Sequence, residues 1–110
     1  MTTIAHDRPL RHMVCVRFQE GTDPEDIRQV EQAFAALPAK IPGIIGFEAG
    51  CNVSVEDKHK GFTHLWLLTF ENEAARDFYL PHPAHHEFSR LLSQFREDVF
   101  VFDYITGEQA

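Results

Sequence analysis

The sequence holds little that would tie it to a membrane, a nucleic acid or an oxidising compartment. No stretch of about 18 uncharged apolar residues occurs in its 110 positions, so no membrane-spanning helix is expected. Basic residues are scarce: ten Lys and Arg stand against seventeen Asp and Glu, for a net charge of −7. Nucleic-acid phosphates call for a Lys/Arg field that such a chain lacks. The segment from Met1 to Pro9 contains no apolar core of a signal peptide. Only two cysteines are present, Cys15 and Cys51, outside any CxxC or zinc spacing. Without an export signal, they are expected to be reduced, small buried hydrophobes in a cytoplasmic protein.

What remains is the balance of one globular domain, with 44% hydrophobic and 25% charged residues. Ten phenylalanines and seven histidines stand out. Residues 1–10 read as a flexible tail, 11–106 as the domain and 107–110 as a short C-terminal tail. His12-Met-Val-Cys-Val-Arg-Phe18 is β-branched and short, a strand. Asp23 offers an N-cap with Pro24 behind it, and Ile27, Val30, Phe34 and Leu37 recur at helical spacing. Pro38 and Pro42-Gly43 are expected to end that helix. Ile44–Val53 reads as a second strand with Gly46 and Gly50 as bends or bulges. Phe62–Phe70 reads as a third strand. Asn72 caps a short helix to Leu80, Pro83 opens another to about Arg96, and Val99–Ile105 closes the chain as a strand. The order β-α-β-β-α-β predicts an α+β, ferredoxin-like fold with a four-stranded antiparallel sheet and the first and third strands at its centre.

Alternation gives this sheet two apolar faces. His12, Val14 and Val16 share one side with His64, Trp66 and Leu68; Met13 and Cys15 share the other with Leu65, Leu67, Phe100 and Phe102. The helices of such a fold cover only one side, which would leave a large apolar patch in water. A homodimer packed through Met13, Cys15, Leu65, Leu67, Phe100 and Phe102 is the expected remedy, closing a dimeric α/β barrel.

The histidines divide by position. His6, His59 and His86 are expected on the surface, and His82 at a helix start. His85 falls on one helical stripe with Phe88, Leu92 and Phe95, aimed at the sheet. His12, His64 and His85, with Tyr79, are therefore expected to converge on one apolar pocket on the helix side. His82, His85 and His86 have the spacing of metal half-sites, but there is no HExxH and no clear third ligand, so no metal is expected. A GxSxG motif and a phosphate loop are also missing. General acid–base chemistry is left, for which imidazole is suited near neutral pH.

Several strings resemble the stress-responsive A/B barrel (Dabb) family: His12–Phe18, Leu37-Pro-Ala-Lys-Ile-Pro-Gly43, Gly50-Cys-Asn-Val-Ser54, Gly61-Phe-Thr-His64, Tyr79-Leu-Pro-His-Pro-Ala-His85 and Val101-Phe-Asp-Tyr104. The resemblance covers Arg11 to Thr106. It implies a dimeric α+β barrel, and activity like that of a plant polyketide cyclase (a lyase) of the family, which closes a linear poly-β-ketone by intramolecular aldol condensation without a metal or other cofactor. By that resemblance His85 is the general base and Tyr79 its partner, with His12 and His64 lining the pocket. Val14, Phe34, Trp66 and Phe88 would form the apolar wall against a small apolar or polyketide-like ligand. A non-catalytic, stress-related binding dimer remains open, as does a cofactor-free or haem-handling monooxygenase on the related barrel.

Overall fold

The computed structural model describes residues 8–107. The expected tails, and His6, fall mainly outside that range. Within it the order is β1 (Leu10–Phe18), α1 (Pro24–Ala35), α2 (Leu37–Lys40), β2 (Ile44–Cys51), β3 (His64–Phe70), α3 (Glu73–Tyr79), α4 (Pro83–Ser93) and β4 (Arg96–Ile105). The strands form one antiparallel sheet in the order β2-β3-β1-β4, so β1 and β3 are central as expected. This is a ferredoxin-like α+β fold.

Helix starts follow local chemistry. The Asp23 carboxylate accepts the Glu25 N–H, and Pro24 occupies the first turn, where its missing donor costs nothing. The Asn72 side chain accepts the Ala75 N–H at 2.9 Å and starts α3. Pro38 does not end the first helix. Its fixed φ fits the opening turn of a new one, so the chain breaks at Ala36 and continues as the single turn α2. Gly43 then turns the chain at φ +100°, and its missing side chain leaves room for Ala75, whose Cβ lies 2.8 Å from where a Gly43 Cβ would sit. The register of β2 against β3 shifts between Ile44 and Gly46, the bulge that Gly46 predicts.

Strand ends move modestly from their expected places. Leu10 already belongs to β1 and is buried, pairing with Phe70 and Ile105. β4 begins at Arg96, because α4 stops at Ser93 and the polar residues after it pair with β1; Arg17 Nη2 meets Asp98 at 3.1 Å across the rung.

One core lies between the sheet and the helices. Val14, Val16, Trp66, Leu68 and Phe70 meet Val30, Phe34, Leu37, Tyr79, Phe88 and Leu92 there, all buried. Burying each such side chain is worth about 1.5–3 kcal/mol, enough to fix which face points inward. Among the described residues nothing covers the opposite face: Phe100, Phe102 and Tyr104 are about half exposed. No helix among the described residues is long and apolar enough to cross a membrane.

Candidate functional site

The buried end of the sheet holds one polar residue among its hydrophobes, His12. Its Nδ1–H donates to Asp103 Oδ1 at 2.7 Å, across the β1–β4 rung that pairs the two residues. Arg76 Nη1 donates to the other carboxylate oxygen at 2.9 Å. Arg76 comes from α3, three residues before Tyr79, and therefore lies on the same side of that helix. Both Asp103 oxygens are thus engaged, and His12 is held with a defined ring orientation. Asp103 was not among the expected site residues. The signal was available: it is a charge in phase with the inward-facing Val99 and Val101, after the apolar run Val99–Phe102.

Tyr79 sits between His12 and His85, with ring centroids at 5.8 and 4.4 Å. It is buried, packs on Phe70, and burial pushes its phenol well above the ordinary value, so it stays a donor at neutral pH. His85, half-buried in the first turn of α4, donates from Nδ1 to the Leu80 carbonyl at 2.9 Å. A carbonyl accepts only an N–H, which fixes the tautomer and leaves Nε2 with its lone pair. Loss of hydration lowers the His85 pKa below the usual 6.5, and His12 and His86 act in the same direction, while the Leu80 carbonyl opposes them. His85 is accordingly neutral at pH 7 and basic at Nε2.

The neighbouring His82 carries the opposite tautomer. Its Nδ1 accepts the Ala84 N–H at 3.0 Å and caps α4, the role its place before Pro83 suggests.

His64 does not join this cluster. β1 and β3 are antiparallel, so residues near the start of each lie at opposite ends: His12 is level with Leu68, and His64 with Val16. Four residues separate the two levels, about 13 Å along the strands. His64 instead packs between Phe18 and Trp66, with Nε2 at 3.2 Å from Glu31. Val14, Phe34, Trp66 and Phe88 lie on the inward side, yet they fill the core: Phe34 packs on Trp66 at 5.0 Å and on Phe88 at 4.3 Å. They back the site as packed core. Of the cysteines, Cys15 is half-buried but Cys51, at the end of an edge strand, is exposed and not the buried hydrophobe expected; both are free.

A four-stranded antiparallel sheet with helices on one face, and a His/Tyr/His cluster under those helices, define a ferredoxin-like α+β protein of the stress-barrel kind. The chain belongs to the Stress Responsive A/B Barrel Domain family, whose sequence profile matches residues 10–106. It is 35% identical over 96 residues to the stress-response A/B barrel domain-containing protein HS1 of Arabidopsis thaliana, covering 87% of this chain and 88% of that protein. It is 26% identical over 95 residues to olivetolic acid cyclase of Cannabis sativa, covering 86% and 94%. Among solved structures, the hydroxynitrile lyase from Passiflora edulis superposes with a TM-score of 0.86 at 25% identity, over 94% of this chain and 98% of that one. Structures of the same fold from Bacteroides fragilis and Thermobifida fusca are dimeric ferredoxin-like proteins.

Proposed function

We propose that this chain is a metal-independent acid–base catalyst on a small carbonyl compound, of the polyketide-cyclase or lyase type. The carrying observation is the His85 ring, anchored at Nδ1 by the Leu80 carbonyl and neutral, packed against the Tyr79 ring with centroids 4.4 Å apart. In this reading Nε2 removes a proton from a carbon flanked by two carbonyls, and the imidazolium formed is held by the Leu80 carbonyl. Tyr79 donates a hydrogen bond to the developing enolate, where preorganised donors are worth most. The enolate carbon then attacks a second carbonyl of the same chain, and the proton on His85 passes to the alkoxide. His12, fixed by Asp103, lies behind Tyr79 as the second ring of the site. The relatives that are a cyclase and a hydroxynitrile lyase support this class of chemistry.

The reading includes a homodimer through the uncovered sheet face. Met13, Cys15, Leu65, Leu67, Phe100 and Phe102 form its apolar centre, flanked by the Arg11–Thr69 and Arg17–Asp98 polar pairs. That is the arrangement of an interface core with a polar rim. The same reading places the protein in the cytoplasm, where its two free thiols would stay reduced.

The chemistry is tested by deuterium exchange at the central carbon of a β-dicarbonyl probe in heavy water, followed by NMR. Wild type should accelerate exchange, and His85→Ala should lose about 10²–10⁴-fold of that acceleration with the fold retained. Equal exchange in both proteins would dismiss His85 as the base.

A further inference from the structure

At the other end of the helix-covered face, three possible metal ligands come together from three elements. Glu31 comes from the inner side of α1, Cys51 from the end of β2 and His64 from the start of β3. Cys51 and His64 are directly paired across the β2–β3 ladder, so their side chains leave the sheet on the same side. One donor atom from each residue lies within 4.8 Å of the other two. They border a small cleft of about 200 Å³ with Phe47 and Trp66. No two of these ligands share an element, so no sequence spacing announces them.

From this geometry we propose that Glu31, Cys51 and His64 bind a thiophilic divalent cation of the Zn²⁺ type, independently of the His12/Tyr79/His85 centre. The donor set is the first argument. Thiolate, imidazole and carboxylate together are ligands of zinc, whereas magnesium and calcium take oxygen. Ligand atoms around a tetrahedral zinc stand roughly 3.3–3.8 Å apart, so the three need contract by only about 1 Å. Cys51 and Glu31 have the freedom to do so, since Cys51 is exposed and the Glu31 side chain is nearly half exposed.

The second argument is that His64 is already built as a ligand. Its ring is stacked on Trp66 and met edge-on by Phe18, and its Nδ1 is 2.7 Å from the Thr63 hydroxyl. A metal-binding histidine typically has its other nitrogen hydrogen-bonded in this way, which fixes the ring orientation. In the metal-free protein Nε2–H donates to Glu31 and Nδ1 accepts the Thr63 hydroxyl. On binding, the cation takes the Nε2 lone pair, the ring proton moves to Nδ1, and the Thr63 hydroxyl turns to accept it. Cys51 loses its thiol proton to solvent, so one proton is released per ion. Three protein ligands leave a fourth position for water. A Cys–His proton relay is a poorer reading, because Thr63 and Glu31 already occupy both ring nitrogens.

Calorimetric titration of the full chain with Zn²⁺, paired with Co²⁺ absorption spectra, tests this. One ion should bind per chain, with release of one proton and with a thiolate-to-cobalt charge-transfer band. His64 should switch from the Nε2–H to the Nδ1–H tautomer by ¹⁵N NMR. Cys51→Ser and His64→Gln should each weaken Zn²⁺ binding at least about 100-fold, and Thr63→Val about tenfold, as expected for a second-layer contact. His86→Gln, on the exposed face of α4, should change nothing. Because Cys51 is exposed, its variant should keep the wild-type unfolding temperature, which separates lost ligation from lost fold. Zn²⁺ affinity unaffected by Cys51→Ser, or a cobalt spectrum without a thiolate band, would overturn the site.

Discussion

The proposed chemistry turns on how two neighbouring histidines are bonded. His82 and His85 lie three residues apart in one short segment, yet one accepts a backbone N–H at Nδ1 and the other donates from Nδ1 to a carbonyl. Only the second leaves an unprotonated Nε2, on a ring packed against Tyr79. In a ¹⁵N NMR titration, His85 should therefore show the Nδ1–H tautomer and a midpoint below the usual 6.5. Protonation of His85 is disfavoured in the folded state relative to the unfolded one. The resulting stabilisation is complete above pH 6.5 and is lost as pH falls through the lowered folded value. A His85 midpoint at or above 6.5 would contradict this. His12 was legible as a site residue because a polar side chain on an inward-facing strand position needs a partner. Asp103, that partner, was legible in principle from the same alternation. Its bond to Arg76 was not, since α3 meets β4 only in three dimensions.

At the scale of elements, capping and turn chemistry carry most of the fold. Asp23, Asn72 and His82 each start a helix where the sequence suggests, and Gly43 turns the chain beneath α3. Gly43→Ala would need a left-handed conformation and would drive its Cβ into Ala75, so thermal or denaturant unfolding should show a loss of about 1–3 kcal/mol. A smaller effect would mean that the turn relaxes. The element order, the central pair of strands and the Gly46 bulge could all be read from periodicity and glycine placement. The position of His64 could not be read from its nearness to a strand start alone. In an antiparallel pair that places it opposite Val16, and the register then brings it to Cys51 and Glu31. The helix break at Ala36 was also hidden, because a proline that ends one helix serves equally well in the first turn of the next.

At the scale of the whole molecule, the Cα trace is only 17 Å thick along its shortest axis, one sheet and one helix layer. The thinness explains why the sheet is apolar on both sides: one face meets the helices, and the other has Phe100 and Phe102 about half exposed. Pairing of two such faces would bury on the order of the 1,600 Å² typical of a stable interface. Phe102→Glu places a charge in that apolar face. Sedimentation at micromolar concentration should then find a folded monomer where wild type is a dimer; a monomeric wild type would refute the dimer. The dimer could be inferred from sequence because apolar alternation persists on the side that the helices cannot reach.

All three scales meet in the claim that His85, assisted by Tyr79, is the base of an acid–base centre. The most direct measurement is turnover of a linear poly-β-ketone by wild type and His85→Ala, with the oligomeric state followed in parallel. The account predicts cyclised product from wild type, falling on the acid side as His85 protonates, and essentially none from a variant that remains folded and assembled. Unchanged turnover in His85→Ala, or no consumption of the substrate by wild type, would contradict it.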